Sequence, residues 1–253
     1  MSKLYIGAYG IPEDPDARKI YANYGDGLYI LDFKEGTLQL ETYEASENLS
    51  YLCQSQQQNP RQNLLYGTNE KGGGPGTITI FKDQRAIATV PSQGRSPCHL
   101  ALAKDRLFVA NYASGSWASY KIHGDELFFE QCVQHTGQGM HPTRQEGPHV
   151  HWCLWYADEL WICDLGLDLV MAYRLVDDSW EEVKRIKVPD GSGPRSVLAR
   201  DHKLYVTFEL SNELAVIDQE SAEILSIVST LPEDYKGDNL ASYLWLSEDG
   251  KTL

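Results

Sequence analysis

The feature that most narrows what this chain can fold into is a short strand-like motif that recurs along it. Five segments read alike: LYIGAY (4–9), LYGTNE (65–70), LFVANY (107–112), LWICDL (160–165) and LYVTFE (204–209). Each is followed by a turn and another β-rich run: GLYILDF (27–33), GTITIFK (76–82), SWASYKI (116–122), LVMAYRL (169–175) and ELAVIDQ (213–219). Most are preceded by a further apolar run, SYLCQSQ (50–56), CHLALAK (98–104), HVHWCLW (149–155) or RSVLARD (195–201). The runs are rich in Val, Ile, Tyr, Phe and Trp and are bounded by Gly, Asp, Asn and Ser, with almost no sustained helical periodicity, so the fold class is all-β.

Sandwiches, barrels and propellers all satisfy that description, but a repeat of four strands at a period near 40 to 45 residues selects a β-propeller of four-stranded antiparallel blades. We expect a single domain over 1–253, with blades at about 1–45, 50–91, 96–135, 147–189 and 193–230 and the start of a sixth at 240–253. The first run is the second strand of a blade. The last, ASYLWLSEDGKTL, reads as an inner strand at 241–247 followed by a turn; either that strand completes the first blade and closes a five-bladed ring or, the reading the EDGKTL hairpin start favours, the chain is expected to be part of a larger ring.

Composition bears on function mainly by exclusion. The formal net charge is −14, which argues against a nucleic-acid surface. No stretch approaches the roughly 20 apolar residues of a membrane span, and the N-terminus lacks a signal-like apolar core; the expected compartment is the cytoplasm. The five cysteines, Cys53, Cys98, Cys132, Cys153 and Cys163, include no CxxC pair and read as reduced, buried small hydrophobes. Gly72 to Gly76, GGGPG, lacks the Lys-Ser/Thr and helix of a phosphate loop and reads as a hairpin.

In a meander the start of a blade's innermost strand and the end of its second strand lie at one edge, so their residues converge on one mouth of a central channel. Those positions hold Arg95, Cys98, His99, Glu146, His149, His151 and Arg195, and, at the ends of second strands, Asn69, Glu70, Asn111, Asp164 and Glu209. His149 follows Gly147-Pro148 and can move a proton near neutrality. Strand alternation places His151 on the same face. Arg195 can present a two-pronged donor to a carboxylate, a phosphate or a developing oxyanion. Glu209 is a candidate base or an orienting carboxylate. Arg144 and Glu146 read as a surface bridge to one another at the approach, and Asp164 and Asp168 in DLGLD as turn caps. The HxH pair lacks a third metal ligand, so neither metal nor cofactor is expected.

SPCHLALAKDRLFVANYASGSWASYKI, RQEGPHVHWCLW, LWICDLGLDLVMAYRL and GSGPRSVLARDHKLYVTFELSNELAVID together resemble the lactonase family of seven-bladed β-propellers. Against that pattern about five blades are present, and the rest of the sixth and the seventh are expected to be missing. Phe208 stands where the family usually has an Asn before the Glu. The resemblance implies hydrolysis of an anionic sugar lactone such as 6-phosphogluconolactone. Its cyclase branch implies a lactone-forming or lactone-opening reaction on a dicarboxylate, and a non-catalytic binding scaffold is a third possibility. By resemblance to the cyclase branch, His149, Arg195 and Glu209 match a catalytic set whose further arginine would lie past Leu253. His151, His99, Asn111, Arg144, Glu146 and Asp164 are the expected substrate-binding residues.

Overall fold

A computed structural model describes residues 2–8, 27–34, 36–55, 64–70, 74–247 and 249–253. Within them the chain forms antiparallel meanders. The first sheet has three strands, β1 (Ser2–Gly7), β2 (Gly27–Lys34) and β3 (Thr37–Ala45). Four strands follow in each of the others: β4 (Leu49–Gln54), β5 (Leu64–Asn69), β6 (Pro75–Lys82) and β7 (Arg85–Arg95); then β8 (Pro97–Ala103), β9 (Arg106–Asn111), β10 (Ser116–His123) and β11 (Glu126–Gln134). The fourth sheet is β12 (Val150–Tyr156), β13 (Glu159–Asp164), β14 (Leu169–Val176) and β15 (Ser179–Lys187), and the fifth β16 (Pro194–Arg200), β17 (Lys203–Phe208), β18 (Glu213–Asp218) and β19 (Ile224–Ser229). No helix among the described residues is long and apolar enough to cross a membrane. The GGGPG reading lies partly outside the described residues, at Gly72 and Gly73; Pro75 opens β6.

The strands are closed by turns whose backbone the sequence supplies. Asp83-Gln84, Ala157-Asp158, Asp177-Asp178 and Asp201-His202 each carry two consecutive residues at positive φ, the twist that suits a two-residue hairpin. Asp and Asn tolerate that region better than most residues, because a short polar side chain can bond locally.

The chain divides into two compact units, residues 1–113 with 117–132, and 114–116 with 133–253. In the first, Leu64, Tyr66, Ile78 and Ile80 pack with Leu100, Leu107, Val109 and Tyr120. In the second, Trp161, Cys163, Val170 and Ala172 pack with Val197, Leu204, Val206, Phe208 and Ile217. Burying each large side chain stabilises the fold by about 1.5 to 3 kcal/mol. Of the cysteines, Cys153 and Cys163 are buried as expected; Cys132, on β11, is exposed.

One irregularity recurs at a fixed place. The pairing of the first two strands shifts register between Leu49 and Tyr51, Pro97 and His99, Val150 and Trp152, and Pro194 and Ser196. Each shift leaves one extra residue, Ser50, Cys98, His151 or Arg195, in a β-bulge that bends the strand and re-aims its side chain. His151 and Arg195 are therefore equivalent positions of adjacent sheets.

The run 241–247, expected as an inner strand, forms no strand ladder. A strand is held by a row of paired backbone groups, and here the tail is held otherwise. The Ala241 amide donates to the Glu209 carbonyl at 3.2 Å, and the Ser242 carbonyl accepts from the hydroxyls of Ser196 and Thr207, each at 3.3 Å. Tyr243 packs its ring 5.4 Å from that of Trp152.

The fourth and fifth sheets are cross-tied at the end away from the bulges by Glu159, which is 1% exposed. Its carboxylate accepts from Lys184 at 2.9 and 3.1 Å, from Arg174 at 2.7 Å and from the Gln219 amide at 3.0 Å. Arg174 is half exposed and contributes little, but removing the charge strands Lys184 beside the Trp161 ring. Glu159→Gln is expected to lower the unfolding free energy by about 3 kcal/mol, read from equilibrium urea unfolding; a loss under about 1 kcal/mol would show the cluster to be incidental to stability.

Candidate active site

The second unit brings three of the expected residues together. Glu209, one residue past β17, is 1% exposed. Its Oε1 accepts from Arg144 and its Oε2 from Arg195, so one buried carboxylate is clasped by two guanidiniums. Arg144 and Arg195 keep 30% and 29% of their side chains exposed. The backbone of Glu209 is fixed as well: its amide donates to the Gly193 carbonyl at 2.8 Å and its carbonyl accepts from Ala241. The Arg144–Glu146 bridge expected from sequence does not form as such. Arg144 turns to the buried carboxylate, which desolvation leaves in greater need of a partner, and the exposed Glu146 bonds His149 Nε2 at 3.2 Å.

His149 is 8% exposed and precedes β12. Its amide donates to Asp164 Oδ1 at 2.8 Å and its carbonyl accepts from the Leu165 amide at 2.9 Å, so the imidazole projects from a backbone pinned on both sides. Glu146 is held below the usual carboxylate range, first by its own backbone amide and then by His149. The alternation that put His149 and His151 on one face does not apply here, since the bulge at His151 interrupts the pleat. Burial, reinforced by the nearby Arg195 charge, lowers the His151 pKa to about 3. At neutral pH it is an uncharged imidazole beside a cationic clasp.

Three of the expected substrate contacts are buried against partners of their own. Asp164 is fully buried: Oδ1 accepts from the His149 and Leu167 amides, and Oδ2 meets His135 Nδ1 at 2.7 Å. His135 in turn meets the Tyr173 hydroxyl at 2.9 Å through Nε2. Asn111, in the first unit, is fully buried and its amide donates to the Ser92 carbonyl at 2.9 Å. His99, also in that unit, is 3% exposed and packs its ring 4.2 Å from that of Tyr51. The Asn or Asp at the end of a second strand thus anchors the loop that leads into an inner strand. Asn69 does the same, donating to Ser46 Oγ and the Glu47 carbonyl.

Sequence reasoning missed Gln145 and the reach of Asp168. Gln145 is fully buried; its Oε1 accepts from the Met140 and His141 amides at 3.1 and 3.0 Å, and its Nε2 donates to the Leu165 carbonyl at 2.9 Å and to Asp168 Oδ1 at 2.7 Å. A signal for it was present: Phe208, in place of the usual Asn, cannot give the loop before Arg195 a side-chain anchor from the end of its own second strand. Among the described residues no three His, Cys, Asp or Glu side chains converge as metal ligands would.

The family described as "Lactonase, 7-bladed beta-propeller" matches residues 3–253. A 6-phosphogluconolactonase of Bacillus subtilis (strain 168) is 29% identical over 212 residues, covering 76% of this chain and 60% of that protein. This chain therefore spans less than two thirds of that relative's length. An uncharacterised protein of Lactococcus lactis subsp. cremoris (strain MG1363) is 31% identical over 244 residues, covering 90% of this chain and 70% of that one. A crystal structure of a protein from Lactobacillus plantarum superposes with a TM-score of 0.81 at 27% identity, covering 98% of this chain and 73% of that one.

The lowered pKa of His151 has a signed consequence. Above pH 6.5 the ring is neutral whether the chain is folded or not, and its contribution to stability is fully present. As pH falls from 6.5 towards 3, the unfolded chain takes up a proton that the folded one refuses, and stability is lost. The His151 ring resonances in an NMR titration are expected to show no protonation between pH 8 and pH 5 (about two units above the folded value,); a midpoint near 6 would refute the assignment.

Proposed function

The chain belongs to the lactonase family of seven-bladed β-propellers, and on that footing we propose that it hydrolyses a sugar lactone, 6-phosphogluconolactone being the substrate of choice. The observation that carries the reading is the clasp of Arg144 and Arg195 on buried Glu209, with His149 held on the same unit by Asp164. Taken alone, the three groups sum to a net charge of +1, in a chain whose overall charge is −14. An anionic lactone meets its complement there. The B. subtilis relative named for that activity supports the choice of substrate.

In the proposed reaction His149 takes a proton from water as the oxygen attacks the lactone carbonyl carbon. The carbonyl electrons move onto oxygen, and Arg195 stabilises that oxyanion with a charge-assisted hydrogen bond. When the carbonyl re-forms, the ring C–O bond breaks and the leaving alkoxide takes back the proton, giving the hydroxy acid. Glu146 orients the imidazole. Since Oε1 and Oε2 of Glu209 are each engaged by a guanidinium, Glu209 acts by positioning the arginines, and His149 is the base.

A pair of arginines would also suit a lactone carrying a second carboxylate, the substrate type of the cyclase branch, so that compound belongs in the same assay. The protein is expected to accelerate 6-phosphogluconolactone hydrolysis above the spontaneous rate, and Arg195→Gln to lower kcat by about 10² to 10³. Wild-type rates no faster than background on the sugar lactone, together with turnover of the dicarboxylate lactone, would transfer the site to the cyclase type. Background rates on both would remove the enzymatic reading.

A further inference from the structure

In the second sheet Asn69, at the end of the second strand, holds Glu47 in the loop entering the inner strand; in the third, Asn111 at the equivalent place holds Ser92 near the end of β7; in the fourth, Asp164 holds the His149 amide. The fifth sheet has Phe208 there, fully buried in the core and with no polar side-chain atom to offer. Its loop keeps backbone bonds from its own sheet, the Glu209 amide to the Gly193 carbonyl and the Leu210 amide to the Ser192 carbonyl, but its side-chain anchor comes from the fourth sheet. Asp168, in the turn between β13 and β14, is fully buried; its Oδ1 accepts from the Gly193 amide at 2.8 Å and its Oδ2 from the Gly191 amide at 2.8 Å. The same Oδ1 accepts from Gln145 Nε2.

Those partners sit next to the clasp. Gln145 adjoins Arg144 and folds the 139–145 loop around its amide group, with the Gly139 amide donating to the Gln145 carbonyl at 2.8 Å and the Gln145 amide to the His141 carbonyl at 2.9 Å. Gly193 lies two residues before Arg195, and its carbonyl receives the Glu209 amide. Gly193 has φ +65°, and a Cβ there would come within 2.7 Å of Leu210, so this corner of the loop cannot drift to another residue's geometry. Both arginine-bearing segments and the backbone of Glu209 therefore refer to one carboxylate.

We propose that Asp168, acting through Gln145 and Gly193, is a positioning residue that sets Arg144 and Arg195 on Glu209. It touches none of the three side chains of the clasp in the hydrogen bonds described, and it works by fixing the two segments that deliver them. Displacements of about 1 Å in such groups can lower a rate about 10²-fold. The inference builds on the lactonase reading for its kinetic consequence, but the state of the clasp is measurable without any substrate.

The test compares full-length wild type with Asp168→Asn and Gln145→Glu. Asp168→Asn keeps the side chain's size and replaces one acceptor with a donor that faces other donors. Gln145→Glu keeps the acceptor for the Met140 and His141 amides and turns a carboxylate towards Asp168. Glu159→Gln, in the buried ion cluster at the other end of the unit, serves as a control that is destabilised without touching the site. Each protein is followed by thermal melting, by arginine side-chain NMR assigned through Arg144→Lys and Arg195→Lys, and by kcat and KM on 6-phosphogluconolactone.

In both site variants the guanidinium resonances of Arg144 and Arg195 are expected to lose their slowed rotation and hydrogen exchange, while kcat falls at least about tenfold and by more than KM rises. Glu159→Gln is expected to melt lower with the arginine signals and kcat unchanged. Clasp signals that stay as in wild type in a folded Asp168→Asn or Gln145→Glu protein would overturn the proposal, as would an equal loss of kcat in Glu159→Gln. If Asp168→Asn does not fold, Gln145→Glu carries the same comparison. Loosened arginines in a protein whose wild type does not hydrolyse the lactone would uphold the positioning role and reject the lactonase reading instead.

Discussion

Two carboxylates buried in one turn organise the second unit. Asp164 and Asp168 are both fully buried, where an ionised group is tolerated only if its lone pairs are occupied. Asp164 meets that requirement with two backbone amides and the His135 ring, and Asp168 with two backbone amides and the Gln145 side chain, besides an ion pair to Lys187 Nζ at 3.5 Å. Every one of the hydrogen-bond donors belongs to a segment that would otherwise be a loop over the sheet edge. Satisfying the charges and fixing the loops are thus a single event, and a misplaced loop leaves a buried charge exposed to a penalty of several kcal/mol.

On that fixed ground the bulges do the aiming. A regular strand would place the residues on either side of Arg195, and of His151, on one face; the extra residue at each bulge breaks that alternation at the sheet edge. The same bulge holds Ser50 in the second sheet and Cys98 in the third. The repeat therefore offers one recurring position at which the side chain can change without disturbing the ladder, and two adjacent sheets use it for an imidazole and a guanidinium. This is how a repetitive core can carry a non-repetitive site.

The architecture was legible in the sequence because strand signals repeat: four of the five LY/LF/LW runs form the second strand of a four-stranded sheet and the first forms β1, and the hairpin turns carry the Asp residues that positive φ favours. The placement of Arg195 and Glu209 at one sheet edge was legible too, since the strand ends bring them there; their ion pair was not, because at that position a glutamate reads equally as a base or as a carboxylate orienting His149. What escaped notice were contacts of long reach. Arg144 bonds a residue 65 positions away, and Gln145 one 23 away, and neither separation leaves a local pattern. Asp164 does cap its turn, through the Leu167 amide, but its further bonds and those of Asn111 had no local signal: residue type and strand position locate a polar group at an edge, and only the segments folded over that edge decide whether it faces solvent or a backbone group. The 241–247 run shows the limit of strand propensity, which states what a segment would do given a partner ladder.

The anionic substrate proposed above would set an acidic protein an electrostatic conflict, which the clasp would resolve locally. The overall charge of −14 repels an anion at long range, but at physiological ionic strength that repulsion is screened over about 8 Å. Inside that distance the nearest charges dominate, and there two guanidiniums outweigh one carboxylate. Without Glu209 the arginines would repel each other and spread into solvent; with it they are held close while part of each stays exposed. His151 adds no charge of its own, because burial beside Arg195 keeps it neutral. On the proposed reading, the two guanidiniums held by one carboxylate would attract an anionic substrate and, being already oriented, would stabilise a developing oxyanion without reorganising as the charge appears.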